Sequence, residues 1–339
     1  MKKIKIGQIG TLHDHASGMT ETVRRYPEIF DFVGYVPEKC TESDGITNAY
    51  VYEGAPVLTE EELFNSGVDA VLVESFELDN IKIAQRCIDR GIHVHIDKPA
   101  GDDIAAFEKL LRDAKAKALT VQMSYMYRYN PSVKECYRRF KSGELGEIYE
   151  VDAIMNTHHD PQKRKWLNQF PGGIMFYLGC HMIDLIYMFQ GTPKNIVTFN
   201  KSTGFDGVNS PDSTLAVFEY EKGASIARAT STEINGYGRR QLVVCASNAT
   251  YRIEPLERRT RTFYTDNTFD EIYTDKKKEL IFDDVASDGR RYDEMLLEFA
   301  ACVRGEITNP YTYEYELQLQ KLILASCGLD IDYKKETIL

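Results

Sequence analysis

An α/β protein in two parts is predicted: a doubly wound parallel sheet, then an α+β region with an open, mostly antiparallel sheet. Three observations carry this. Strand-like and helix-like runs alternate over the first third of the chain, as successive βαβ units require. Beyond about residue 123, strand-like runs follow one another with few helices between them. The 339 residues also suffice for two domains, each burying its own core.

Taken in order, residues 3–9 form a short apolar strand, 16–26 a helix and 30–36, FDFVGYV, a second strand. Residues 59–65 form a short helix in which Thr59 and Glu62 have the spacing of a capping box. Residues 70–73 are strand, 81–90 helix, 92–96 strand, 103–116 helix and 120–123 strand. The later strands are 147–156, 194–200, 213–220, 224–232, 240–246, 250–254 and 261–264. A helix over 175–189 interrupts them, and helices near 295–303 and 313–327 follow. The domains are therefore set at 1–122 and 123–339.

A net charge of −11 argues against a general nucleic-acid or anionic-membrane surface. No run reaches the roughly 20 apolar residues of a membrane span. The nearest, MFYLGCHMIDLIYMF, is shorter and carries His181 and Asp184. In MKKIKIGQIG the apolar stretch after the basic residues ends within a few residues, so no signal peptide is expected. The seven cysteines include no CxxC pair, which indicates reduced thiols in a cytoplasmic protein.

Ligands of open parallel sheets bind beyond the carboxyl ends of the strands, and three segments fall there. In IGQIGTLHDHASG the first strand turns into a helix whose N-terminus can hold a pyrophosphate. Only Gly10 occupies a glycine position of the dinucleotide fingerprint, with Leu12 and His15 at the other two. ESFELDN follows the third strand, and IDKPAG follows the fourth and presents Lys98. At the end of the second strand Glu38 is the acidic residue available to a ribose, and no arginine stands there for a 2′-phosphate, which favours NAD. His13 and His15 form an HxH pair. It is read as lining the ligand site or capping the following helix, not as a metal centre. His93 and His95 are read as buried structural residues.

In the second part Tyr177, His181 and Asp184 are spaced i, i+4, i+7 and would share one face of a regular helix. Such a stripe suits a polar pocket. It equally suits a core Tyr177 with Asp184 holding His181.

Several blocks, in order along the chain, resemble the glucose–fructose oxidoreductase / inositol dehydrogenase / MocA (Gfo/Idh/MocA) family of NAD(P)-dependent oxidoreductases. GIHVHIDKPAG is similar to the family's GKHVxxEKPxA, YRYNP to its RRFxP, and GELGEI to its GxIGxI. GGIMFYLGCHMIDLIYMFQG is similar to GGGxLxDxGxHxxDxxxxLxG, and LLEFAACVRGE to a late helix. The resemblance implies a Rossmann-type N-terminal domain and a substrate-binding, oligomerising C-terminal domain. It also implies hydride transfer between NAD or NADP and a sugar, cyclitol or similar polyol. Lys98 and His181 are then the proton-handling pair, with Tyr177 standing where the family has an acid. The cofactor is expected at Gly10, Thr11, Leu12, His13, Glu38, Ser75, Phe76, Asp97 and Lys98. The substrate is expected at Asn156, His158, Trp166, Tyr237 and His181, with Arg128 anchoring the interdomain junction. An open sheet face predicts a homodimer or homotetramer. The altered glycine turn, Tyr177 and the SFELDN segment in place of TPNxxH keep a second reading open, a ligand-binding protein without hydride chemistry.

Overall fold

The computed structural model describes residues 2–38, 48–267, 277–335 and 337–339. They divide into two compact units: residues 1–126 with 292–320 and 337–339, and residues 127–291 with 321–336.

The first unit is built on a five-stranded parallel sheet. Its strands are β1 (Ile4–Ile9), β2 (Phe30–Val36), β3 (Ala70–Val73), β4 (His93–Ile96) and β5 (Val121–Met123), in the order β2-β1-β3-β4-β5. The helices between them are α1 (Ala16–Arg25), α2 (Glu60–Asn65), α3 (Asn80–Asp89) and α4 (Ile104–Ala116). The order reverses direction between β1 and β3, so right-handed crossovers place helices on both faces. Ala-Val-Leu-Val of β3 is apolar at every position because both its faces are buried. Met19 and Val23 of α1 and Phe107, Leu110 and Leu111 of α4 are buried in this unit's core. Thr59 and Glu62 cap α2 reciprocally, Thr59 N–H donating to Glu62 Oε2 at 2.8 Å and Glu62 N–H to Thr59 Oγ1 at 3.2 Å.

The second unit holds an eight-stranded sheet, order β13-β12-β11-β10-β6-β9-β8-β7. Its elements are α5 (Pro131–Lys141), β6 (Ile148–Asn156), α6 (Pro161–Trp166), α7 (Cys180–Gln190), β7 (Asn195–Lys201), β8 (Ser213–Glu219), β9 (Ala224–Thr230), β10 (Gln241–Ala246), β11 (Ala249–Ile253), β12 (Thr262–Asp266) and β13 (Lys278–Leu280). All neighbours are antiparallel except β6 and β9. Burial alternates along β8 to β11. Ala216, Phe218, Ala227, Ala229, Leu242 and Val244 face the core, and the intervening residues are only half-buried. Two further helices, α8 (Asp293–Val303) and α9 (Tyr313–Ser326), come late in the chain.

Three elements were not foreseen: the short strand β13 and the helices α5 and α6. Asn130 Oδ1 accepts from Ser132 N–H (2.9 Å) and Val133 N–H (3.3 Å), and Pro131 stands at the first turn; together they start α5. Asp160 and Pro161 start α6 in the same way. The expected regular helix over 175–189 is corrected: Met175–Gly179 is a wider π turn, and the α-helix begins only at Cys180. Among the described residues no helix is long and apolar enough to cross a membrane. The six described cysteines are free thiols, and Cys40 lies outside the described residues.

Candidate active site

In the first unit the carboxyl ends of β1, β3 and β4 bring together side chains far apart in sequence. Gly10 ends β1 with φ +95°, and a Cβ there would lie 2.4 Å from the Glu74 carbonyl carbon, so only glycine lets the two strand ends approach. This is the point where the strand order reverses, the usual ligand position in such sheets. Thr11 is buried and its Oγ1 has no hydrogen-bond partner; Leu12 is half-buried. Glu38 Oε1 accepts from the Ser75 hydroxyl and from Phe76 N–H (3.0 Å), while Oε2 is buried without a hydrogen-bond partner.

The His15 side chain does not cap α1, whereas His13 Nδ1 accepts from the N–H of His15, the N-cap residue, at 3.2 Å. Both rings turn to Asp97. His15 Nδ1 lies 3.0 Å from Asp97 Oδ1, and His13 Nε2 lies 2.7 Å from Oδ2 and 3.1 Å from Glu77 Oε1. Glu74 Oε2 is 4.0 Å from His13 Nδ1. Burial alone would lower the His13 pKa, but Asp97 and Glu77 outweigh it and push it up to about 10. His15 goes the other way. Burial dominates, with the charges of His13 and Lys98 adding to it, and the value falls to about 4 despite Asp97. Burial and the Asp97 charge raise Glu74 well above the usual carboxylate range. For Asp97, burial is overridden by the two imidazoles, which hold it well below that range. Lys98 follows Asp97 and is fully buried; its charge acts on both Glu74 and His15. His95 is fully buried, with neither ring nitrogen hydrogen-bonded, and its value falls to about 4 through burial. His93 is half-buried and accepts from Thr120 N–H at 2.9 Å.

In the second unit the expected Tyr177–His181–Asp184 stripe is split, because the π turn breaks the helical phase ahead of Cys180. Tyr177 joins an aromatic set: Trp166 edge-on at 5.3 Å, Phe170 stacked at 6.0 Å and His159 at 6.5 Å, with Lys163 Nζ 4.0 Å above Trp166. His181 is buried against Tyr127, edge-on at 5.0 Å. Asp184 meets a guanidinium. It accepts from Arg128 Nε at 3.1 and 2.9 Å and from Nη2 at 2.8 Å, inside the same unit.

The remaining expected residues are dispersed. Asn156 is buried, its Nδ2 donating to Glu233 Oε2 at 2.6 Å and its Oδ1 without a hydrogen-bond partner. His158 is exposed and bridges to Thr232, whereas the neighbouring His159 is the one that meets Tyr177. Tyr237 lies under Arg240, whose guanidinium carbon is 3.5 Å from the ring centroid. Glu74, Glu77, His159, Lys163 and Phe170 were missed. Glu77 stood in the ESFELDN segment already placed at a strand end, and Glu74 directly follows β3.

The profile of the GFO/IDH/MocA C-terminal domain matches residues 133–252. Among curated proteins, the oxidoreductase YhhX of Escherichia coli is 28% identical over 141 residues, 40% of this chain and 39% of YhhX. The rhizopine catabolism protein MocA of Rhizobium meliloti is 23% identical over 161 residues, 47% of this chain and 50% of MocA. The chain thus spans about half the length, or less, of these curated relatives. In fold it is similar to UDP-N-acetylglucosamine 3-dehydrogenase GnnA of Acidithiobacillus ferrooxidans, with TM-score 0.74, 14% identity, and 97% and 98% of the two chains covered. An oxidoreductase of Thermotoga maritima gives TM-score 0.74 at 17% identity, covering 96% of each chain. The class is that of two-part proteins with a Rossmann-type sheet and an antiparallel sheet. Within it, residues 133–252 match the C-terminal domain of the GFO/IDH/MocA family, the family that the chain's motifs resemble.

Proposed function

We propose that the protein is an NAD(P)-dependent oxidoreductase acting on a hydroxyl or carbonyl carbon of a sugar, cyclitol or related polyol. One observation carries the reading: Lys98, fully buried, follows β4 next to the Gly10 turn. Lysine is almost never fully buried unless its charge is paired, and here acidic groups stand beside it. The residues present fit a dinucleotide, since Thr11 Oγ1 and Glu38 Oε2 are buried polar atoms awaiting a partner at the ends of β1 and β2. When bound, the nicotinamide gives or takes the hydride. Gly10, at positive φ, would leave the backbone free to approach a pyrophosphate, and Glu38 would be the acidic residue to hold a ribose hydroxyl, in favour of NAD. Lys98 and His181, each buried in its own unit, are the candidates for taking and returning the hydroxyl proton, which must move as the hydride does. Trp166 offers an aromatic plane to a sugar ring, and Tyr177 supports it from the edge. The half-buried face of the second sheet supports assembly as a dimer or tetramer.

A specific observation favours the second reading, a ligand-binding protein: Tyr177 stands in the family's acidic position and is packed among aromatic rings. Calorimetric titration of the purified chain with NADH and NADPH separates the two. Saturable micromolar binding, followed by turnover in a polyol screen that Lys98→Ala abolishes, is the expected result. No binding of either nucleotide, oxidised or reduced, overturns the dehydrogenase reading.

A further inference from the structure

The cluster at the ends of β1, β3 and β4 contains more carboxylate than its own cations satisfy. Glu74, Glu77 and Asp97 are all fully or almost fully buried. Four of their oxygens, Glu74 Oε1 and Oε2, Glu77 Oε2 and Asp97 Oδ2, have no hydrogen-bond partner. Buried polar atoms are rarely left so, and their concentration in one place marks a position for a water or an ion. Asp97 Oδ2 is 2.7 Å from His13 Nε2 yet outside hydrogen-bond geometry, so two carboxylates converge on one ring nitrogen that can give a proton to only one of them.

We propose that His13, His15 and Asp97 bind a divalent transition metal of the zinc type, with Glu77 or Glu74 completing the set. One ligand atom from each of the first three lies within 4.8 Å of the others. Two imidazoles and a carboxylate suit Zn²⁺ and its first-row neighbours, whereas Ca²⁺ and Mg²⁺ prefer all-oxygen sets. A doubly charged ion replaces the shared proton of the His13 imidazole and gives the unsatisfied oxygens a cation. Lys98 opposes it with one positive charge, set against the carboxyl groups of Asp97, Glu77 and Glu74. Glu77, 3.1 Å from His13 Nε2, and Glu74, 4.0 Å from His13 Nδ1, both adjoin the His13 imidazole, where outer partners of metal sites stand. This assignment departs from the sequence-based reading of the HxH pair, and it does not depend on the hydride reading, because metal uptake is measured without nucleotide or turnover.

The test uses the full chain, stripped with chelator and titrated with Zn²⁺ by calorimetry and with Co²⁺ by visible absorption. Expected are one ion per chain and a four- or five-coordinate Co²⁺ spectrum without thiolate charge-transfer bands. Asp97→Asn and His15→Ala should weaken uptake by at least ~100-fold, more than outer partners usually do. His93→Gln, outside the cluster, should leave uptake unchanged. Circular dichroism identifies any variant that fails to fold, and the wild-type Co²⁺ spectrum decides without it. Sub-stoichiometric uptake by the wild type, thiolate bands showing cysteine ligation, or full uptake by folded Asp97→Asn and His15→Ala would overturn the proposal.

Discussion

Asp184 and Asp97 are both buried aspartates, and their surroundings treat them in opposite ways. Asp184 meets the Arg128 guanidinium, which donates to both its oxygens, and both partners are almost wholly removed from solvent. Asp97 is divided between two imidazoles, leaves one oxygen outside hydrogen-bond geometry, and has two further carboxylates beside it. A buried charge neutralised by a fixed partner within the fold holds the architecture in place. A buried cluster with acceptors to spare is built to receive something from outside.

The largest expected effect tests the first half of that contrast. Arg128→Ala strands Asp184 in the interior and should destabilise the protein by about 3–5 kcal/mol in urea unfolding. Glu74→Gln instead removes a carboxyl from an over-supplied cluster and should stay within about 1 kcal/mol of wild type. Equal losses for the two would erase the distinction. Next in size is Gly10→Ala. It forces a side chain into positive φ and onto the backbone of Glu74, and should cost more than about 2 kcal/mol in thermal unfolding.

A third ion system, Glu257 with Arg240 and Arg291, sharpens the comparison through pH. Burial alone would raise the Glu257 carboxyl, but Arg291 and Arg240, with the Tyr127 hydroxyl, hold it below the usual range. Arg291 Nη1 is 3.3 Å from Oε2, and Arg240 Nη1 pairs with Oε1. Because the folded value is depressed, its contribution is complete above the unfolded carboxylate pKa of about 4.3 and is lost as pH falls through the folded value. Glu257→Gln should therefore flatten the acid limb of a stability–pH curve; an unchanged limb would show that this group behaves like a surface carboxylate. The smallest effect belongs to the exposed cap, where Thr59→Ala should cost about 1 kcal/mol in the same urea assay.

The parallel sheet was legible because its signals are local. An unbroken apolar run marks β3, the Thr59–Glu62 spacing marks the start of α2, and a strand-end lysine marks the IDKPAG segment. What sequence could not supply is convergence. His13 meets Glu77 across 64 positions and His15 meets Asp97 across 82, and only the closing of β1, β3 and β4 side by side brings them together. The π turn escaped because periodicity assumes a constant number of residues per turn, so one enlarged turn changes where Tyr177 points without changing the residue pattern. The helix starts at Asn130–Pro131 and Asp160–Pro161 were readable by ordinary capping rules.

The parallel pair β6 and β9, set in an otherwise antiparallel sheet, also bears on how this molecule can change. Antiparallel neighbours can be joined by a tight turn, but a parallel pair requires the chain to travel back along the sheet before it can pair again. Here that return journey is residues 157–223, and it carries Trp166, Phe170, Tyr177 and His181. β7 and β8 lie on that path and are themselves held in the sheet, so the part the sheet leaves open is residues 157–194, ahead of β7. Residues can be inserted, removed or exchanged there while the Asp152–Ile226 register stays the same. The chemistry a descendant meets in this unit can thus diversify on a scaffold that does not have to be refolded to allow it.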